Sequence, residues 1–117
     1  MDKRDSDAIR FYNMALDYAE AKSQNEAMIL SNKSAALLAL GCYNSALKAA
    51  DTGLEIQPEN DKLIFRKTKA LLGNQSYEDA LNFLEEKFSQ VSSLSENKDL
   101  EKLLDSAKFL SSRSVLK

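Results

Sequence analysis

The chain contains no histidine and no tryptophan, and its 117 residues include one cysteine, one proline and three glycines. Each shortage excludes something. Without histidine there is no Ser-His-Asp or Cys-His nucleophile system and no imidazole ligand for zinc. A single thiol, Cys42, can neither close an internal disulfide nor build a thiolate metal site, and it suits a reducing compartment. Gly41, Gly53 and Gly73 stand too far apart to form a phosphate-cradling loop. No apolar run approaches the ~20 residues needed to cross a bilayer, and the opening stretch MDKRDSDAIR has no apolar signal-peptide core. A net charge of −2 is too balanced to point to nucleic acid or an anionic membrane. These absences predict a soluble, cytoplasmic, single-domain protein that is not an enzyme and needs no cofactor or metal.

What is present favours helix. Ala, Leu, Lys and Glu are abundant, and breakers cut the sequence into pieces of about fifteen residues. SDAIRFYNMALDYAEAK sets Ile9, Tyr12, Ala15, Leu16 and Ala19 at helical spacing, with Asp5 or Ser6 as its N-cap. EAMILSNKSAALLAL runs to Gly41, a residue that ends helices. A third helix spans Tyr43 to Ile56 and stops before Pro58, and a fourth, ENDKLIFRKTKALL, stops at Gly73. SYEDALNFLEEKF starts at a Ser76 cap and fades into the polar SQVSSLS. ENKDLEKLLDSAKFL places Leu100, Leu103, Leu104, Ala107 and Leu110 on one face, and SSRSVLK reads as a frayed tail.

Sliding the sequence by 34 residues aligns Leu30 with Ile64, Leu37 with Leu71, Tyr43 with Tyr77, Ala46 with Ala80, Leu47 with Leu81 and Leu54 with Phe88. That offset is the length of the tetratricopeptide helix–turn–helix. The stretch SNKSAALLALGCYNSALKAADTGLEIQPEN resembles the tetratricopeptide (TPR) family directly. Ala46, followed by Ala50, Gly53 and the closing Pro58, keeps the family's small-residue spacing, and Tyr43 matches the aromatic that opens its second helix. Leu30, Lys33 and Ser34 replace the family's first-helix tryptophan, leucine and glycine, Ala50 replaces a bulky aromatic, and the unit from Asp61 to about Val91 lacks the closing proline. The resemblance covers roughly residues 5–91. It implies an all-α fold of antiparallel helix-turn-helix repeats, stacked as a short right-handed TPR-like solenoid with a C-terminal capping helix. The expected organisation is one domain: residues 5–22 as the second helix of an incomplete first unit, 27–60 as a complete unit, 61–91 as a further unit and 96–111 as the cap.

Residues 5–22 take the second-helix role because Ala8, Tyr12 and Ala15 repeat the spacing of Ala46, Ala50 and Gly53 at an offset of 38. The sequence is thus expected to start in mid-repeat, either as a fragment of a longer protein or with one side of an opening helix uncovered. Ile9, Tyr12 and Leu16 are too apolar to face water on all sides, so a second copy covering this helix, as a homodimer, is expected.

On stacked hairpins, positions one period apart share a facet. Asn32 plus 34 is Arg66, and Lys62 precedes Arg66 by one turn. An amide donor, a point charge and a bidentate guanidinium together suit a carboxylate. The trio Asn32, Lys62 and Arg66 resembles the dicarboxylate clamp of TPR co-chaperones, which implies as partner the acidic C-terminal tail of a chaperone of the Hsp70 or Hsp90 type. Two further donors of that clamp come from a first helix for which this sequence has no counterpart. Two readings of the trio stand: a carboxylate clamp, or a solvated and mildly basic helix face on a structural adaptor that works by dimerisation. Cys42, in a turn, has nothing beside it to activate its thiol.

Overall fold

The computed structural model describes residues 3–19 and 23–115, with side chains placed for 6–19 and 23–113. Residues 20–22, which the expected first helix included, and the final two residues of the tail lie outside the described residues. Six α-helices follow one another with no strand among the described residues: α1 (Lys3–Tyr18), α2 (Gln24–Ala39), α3 (Tyr43–Ile56), α4 (Asp61–Gly73), α5 (Tyr77–Gln90) and α6 (Lys98–Val115). A short 3-10 helix, Ser92–Glu96, precedes α6.

The repeat is written into the backbone hydrogen bonds. After α2, the Leu40, Gly41 and Cys42 amides donate to the Ala36, Leu38 and Leu37 carbonyls. After α4, thirty-four residues on, the Asn74, Gln75 and Ser76 amides donate to Ala70, Leu72 and Leu71 in the same pattern. Each turn needs one residue in the left-handed region. Gly41 supplies it with φ +77°, and Gln75 supplies it with φ +62° at the matching position. The starts of the even-numbered helices obey a second interval, 37 residues. Ser23 Oγ accepts from the Glu26 amide, Asn60 Oδ1 from Leu63 and Asn97 Oδ1 from Leu100, all at 3.1 Å. Both intervals fit because α2 has an extra turn at its start and the α5–α6 connection is longer by the same amount.

Every helix packs on its sequence neighbours. In addition α2 touches α4 and α4 touches α6, whereas the odd-numbered helices make at most glancing contact with one another. A row of helices in contact on one side and spread apart on the other curves toward the contacting side. The concave face is therefore built by α2, α4 and α6. The principal extents, 46 × 34 × 19 Å, leave room for two layers of helices.

Small residues set the crossings. Ala46 and Ala80 are fully buried, as are Ser34 and Thr68, and each pair is 34 residues apart. Ser34 Oγ donates to the Ala46 carbonyl at 2.9 Å, tying α2 to α3, while Thr68 Oγ1 donates back to Ile64 within α4. Around these points Leu63, Ile64, Leu84, Leu94 and Leu100 are almost wholly removed from water, worth about 1.5–3 kcal/mol each. The expected cap is present: Leu100, Leu103 and Ala107 are buried, Leu104 and Leu110 half-buried, with α6 packed on α5 and α4.

The structure corrects several boundaries. Helix α1 begins at Lys3, so Asp5 and Ser6 lie inside its first turns and are not its cap, because nothing in that stretch breaks a helix. Ser76 occupies the cap position of α5 but its side chain makes no capping hydrogen bond. The stretch SQVSSLS is not merely polar: Val91 and Leu94 are buried in the same cluster as Leu84 and Leu100. Ser111 to Val115 are not frayed, since α6 runs on through them and Ser111 is buried.

Candidate carboxylate-binding groove

Helix α4 carries Lys62, Phe65, Arg66, Lys69 and Leu72 along one side, at the spacing that keeps side chains on a common face. Its first turn is fixed by Asn60, whose side chain caps the helix and also donates to Gln57 at 2.6 Å. Leu63 and Ile64 anchor the opposite side in the core. With α4 pinned from behind, Lys62 and Arg66 face the space between α4 and the start of α6. There they line a cavity of about 290 Å³ together with Asp61, Phe65, Asn97 and Asp99.

The charges in this cavity are not mutually spent. Among the described residues neither Lys62 nor Arg66 forms a salt bridge; the ion pair drawn on this helix is Lys67 with Asp51, at 2.7 Å. Asp61 Oδ2 accepts from Asn97 Nδ2 at 3.0 Å. Asp61 and Asp99 each stand in the first turn of a helix, where the peptide dipoles offset their charge. Arg66 is half-buried and lies 5.8 Å from the Phe65 ring centre. Its Nε is buried and has no hydrogen-bond partner. A buried guanidinium donor left unpaired costs roughly 1–3 kcal/mol or more. The Nε–H and a neighbouring Nη–H form the fork that a carboxylate fits with two parallel bonds.

The groove continues along α4. A second depression, about 450 Å³, is lined by Leu38, Tyr43, Lys69, Leu72, Gly73, Leu103, Ser106 and Leu110. From Lys62 to Gly73 the two cavities share a helix side of about 16 Å. One end is charged and the other has an apolar floor, with Lys69 reaching 6.0 Å from the Phe65 ring between them.

Asn32 is exposed on α2, one 34-residue period before Arg66, and is not among the residues lining the Lys62–Arg66 cavity. The structure thus brings together two of the three expected donors and adds Asp61, Phe65, Asn97 and Asp99, which sequence reasoning missed. Asn97 carried a usable signal: it stands at the same 37-residue interval as the caps Ser23 and Asn60.

Of the expected partner face on α1, Ile9 and Leu16 pack against the cluster of Leu30, Leu37 and Ala46, and Tyr12 is half-buried with its ring edge-on to Phe11. The large hydrophobic residues of α1 exposed to water are Phe11, Met14 and Tyr18, at 66%, 57% and 90% exposure. Cys42 is a free, half-buried thiol at the start of α3. Among the described residues no cluster of His, Cys, Asp and Glu could hold a metal ion, and no helix is long and apolar enough to cross a membrane. No protein-family model matches the chain.

Proposed function

We propose that the chain is a TPR-like protein-interaction module that binds an acidic C-terminal peptide on its concave face, as co-chaperone adaptors do with Hsp70- or Hsp90-type tails. The observation that carries the reading is Arg66: its Nε is buried and unpartnered, at the wall of a cavity that also holds Lys62. The peptide's terminal carboxylate takes the Arg66 fork, Lys62 adds a point charge, and Asn32 on the adjoining helix contacts the chain further back. Side chains preceding the terminus lie along α4 toward the apolar floor formed by Leu72, Leu103 and Leu110. The role is binding and not catalysis, and the setting is cytoplasmic.

The test is calorimetric titration with a short peptide ending in two acidic residues, as the free acid and as the C-terminal amide. The free acid should bind and weaken as salt rises, because the contacts are ionic. Binding of the amide with equal affinity would contradict the reading.

A second reading is favoured by α1. Phe11, Met14 and Tyr18 form an exposed apolar stripe at helical spacing, which suits a structural adaptor that dimerises through its N-terminal helix. Light scattering in dilute solution decides it: a dimer that Tyr18→Asp dissociates supports the reading, and a monomer at all concentrations removes it.

A further inference from the structure

A second groove lies on another side of the molecule, between α1, α2 and α3. It measures about 430 Å³ and is lined by Ile9, Leu30, Leu37 and Ala49 on its floor, with Lys33, Ser45, Lys48 and Thr52 around them. Among the described residues, none that lines it is acidic.

The repeat supplies a template for what belongs there. Advance each α2 and α3 residue by 34 and the same site appears one unit later, between α3, α4 and α5. Leu30 becomes Ile64, Leu37 becomes Leu71 and Lys33 becomes Lys67. Ala49 becomes Phe83, and that later site is occupied by the protein itself. The Phe83 ring packs against the buried core there, with Lys67 Nζ 4.5 Å and Lys87 Nζ 5.9 Å from its centre. Lys67 also bonds Asp51 of α3 at 2.7 Å.

In the earlier unit both occupants are missing among the described residues. Ala49 offers a methyl group where Phe83 offers a ring. Asn13, which takes the place of Asp51 at the 38-residue offset between α1 and α3, is neutral. Lys33 therefore has no carboxylate partner among the described residues. The site keeps its apolar floor and its lysine while lacking the aromatic ring and the acid that fill its twin.

We propose that this groove binds an internal segment of a partner protein that presents an aromatic side chain next to acidic ones. The aromatic ring enters over Ala49 as Phe83 does in the next unit, with Lys33 stacked on its face. A flanking carboxylate pairs with Lys33 as Asp51 does with Lys67, and a second meets Lys48. This site is independent of the concave groove: on one helix, Lys33 and Asn32 point about 100° apart, as do Lys67 and Arg66.

The experiment uses the whole chain labelled with ¹⁵N and the probe acetyl-Glu-Asp-Phe-Asp-Glu-amide. The amide removes the terminal carboxylate that the concave groove would need. Backbone amides of Lys33, Ser45, Lys48 and Thr52 should shift on titration. The probe with alanine in place of phenylalanine should bind at least about tenfold more weakly. Lys33→Glu/Lys48→Glu, surface changes that leave the floor intact, should weaken the parent probe about tenfold. Ala49→Phe, which installs the ring of the twin site, should abolish binding. Arg66→Gln should bind the probe as the parent protein does, so failure here and failure of the concave-site reading are distinguishable. Absence of shifts at the groove at millimolar probe, shifts confined to Lys62 and Arg66, or undiminished binding by the lysine variant would each overturn the proposal.

Discussion

Gly53 and Leu63 meet where α3 crosses α4, and their contact can be tested as a pair. A Cβ added to Gly53 would lie 2.7 Å from Leu63 Cδ2 and 3.0 Å from Cδ1. Leu63 is fully buried and so has no open space to swing into. Gly53→Ala therefore sets two effects against each other. Overpacking a filled core costs about 1–3 kcal/mol. Replacing glycine in a helix interior returns about 0.5–1 kcal/mol. The net expectation is a loss of up to about 2.5 kcal/mol. Leu63→Ala alone leaves a cavity and should lose about 2–5 kcal/mol. In the Leu63→Ala background the new methyl meets no leucine, so Gly53→Ala should become neutral or stabilising there. The coupling should reach about 1–3 kcal/mol in the favourable sense, well beyond the ~0.5 kcal/mol scatter of independent sites. Urea unfolding of the four proteins, followed by far-UV circular dichroism, gives the cycle. Additive losses would refute the packing argument, because they would mean that Leu63 does not receive the added methyl.

Three further outcomes follow from single positions. Gly73→Ala would drive a methyl into the Tyr43 ring and should lose about 1–3 kcal/mol, read by urea midpoint. Gln75→Gly should gain about 0.5–1 kcal/mol by relieving a left-handed non-glycine residue, while Gly41→Ala, its counterpart one repeat earlier, should lose about 1 kcal/mol; thermal melts should show shifts of opposite sign. Asn97→Ala removes both the α6 cap and the hydrogen bond to Asp61, and should lose about 1–2 kcal/mol with early amide exchange at the start of α6.

The helices were legible because the breakers are sparse and the apolar positions periodic, and the 34-residue offset placed the hairpin turns correctly. The first turn announces itself through Gly41. The second does not, because Gln75 carries the same left-handed conformation and only the offset reveals it. Boundaries failed where no breaker acts, at Lys3 and beyond Ser111, since propensity alone lets a helix run until something stops it. The site was half legible. Register put Asn32 and Arg66 on equivalent facets, but the cavity around Arg66 is closed by Asn97 and Asp99, which reach it through the packing of α6 on α4. That is a long-range contact, and no local pattern encodes it.

The most direct test of the concave site is a double-mutant cycle between Arg66 and the peptide terminus. Wild type and Arg66→Gln are each titrated with the free-acid and amidated forms of the same acidic peptide by calorimetry. The account predicts that the free acid loses about 2–5 kcal/mol on Arg66→Gln, that the amide is bound weakly and equally by both proteins, and that the coupling is therefore of similar size. A coupling near zero, with acid and amide affected alike by Arg66→Gln, would contradict it.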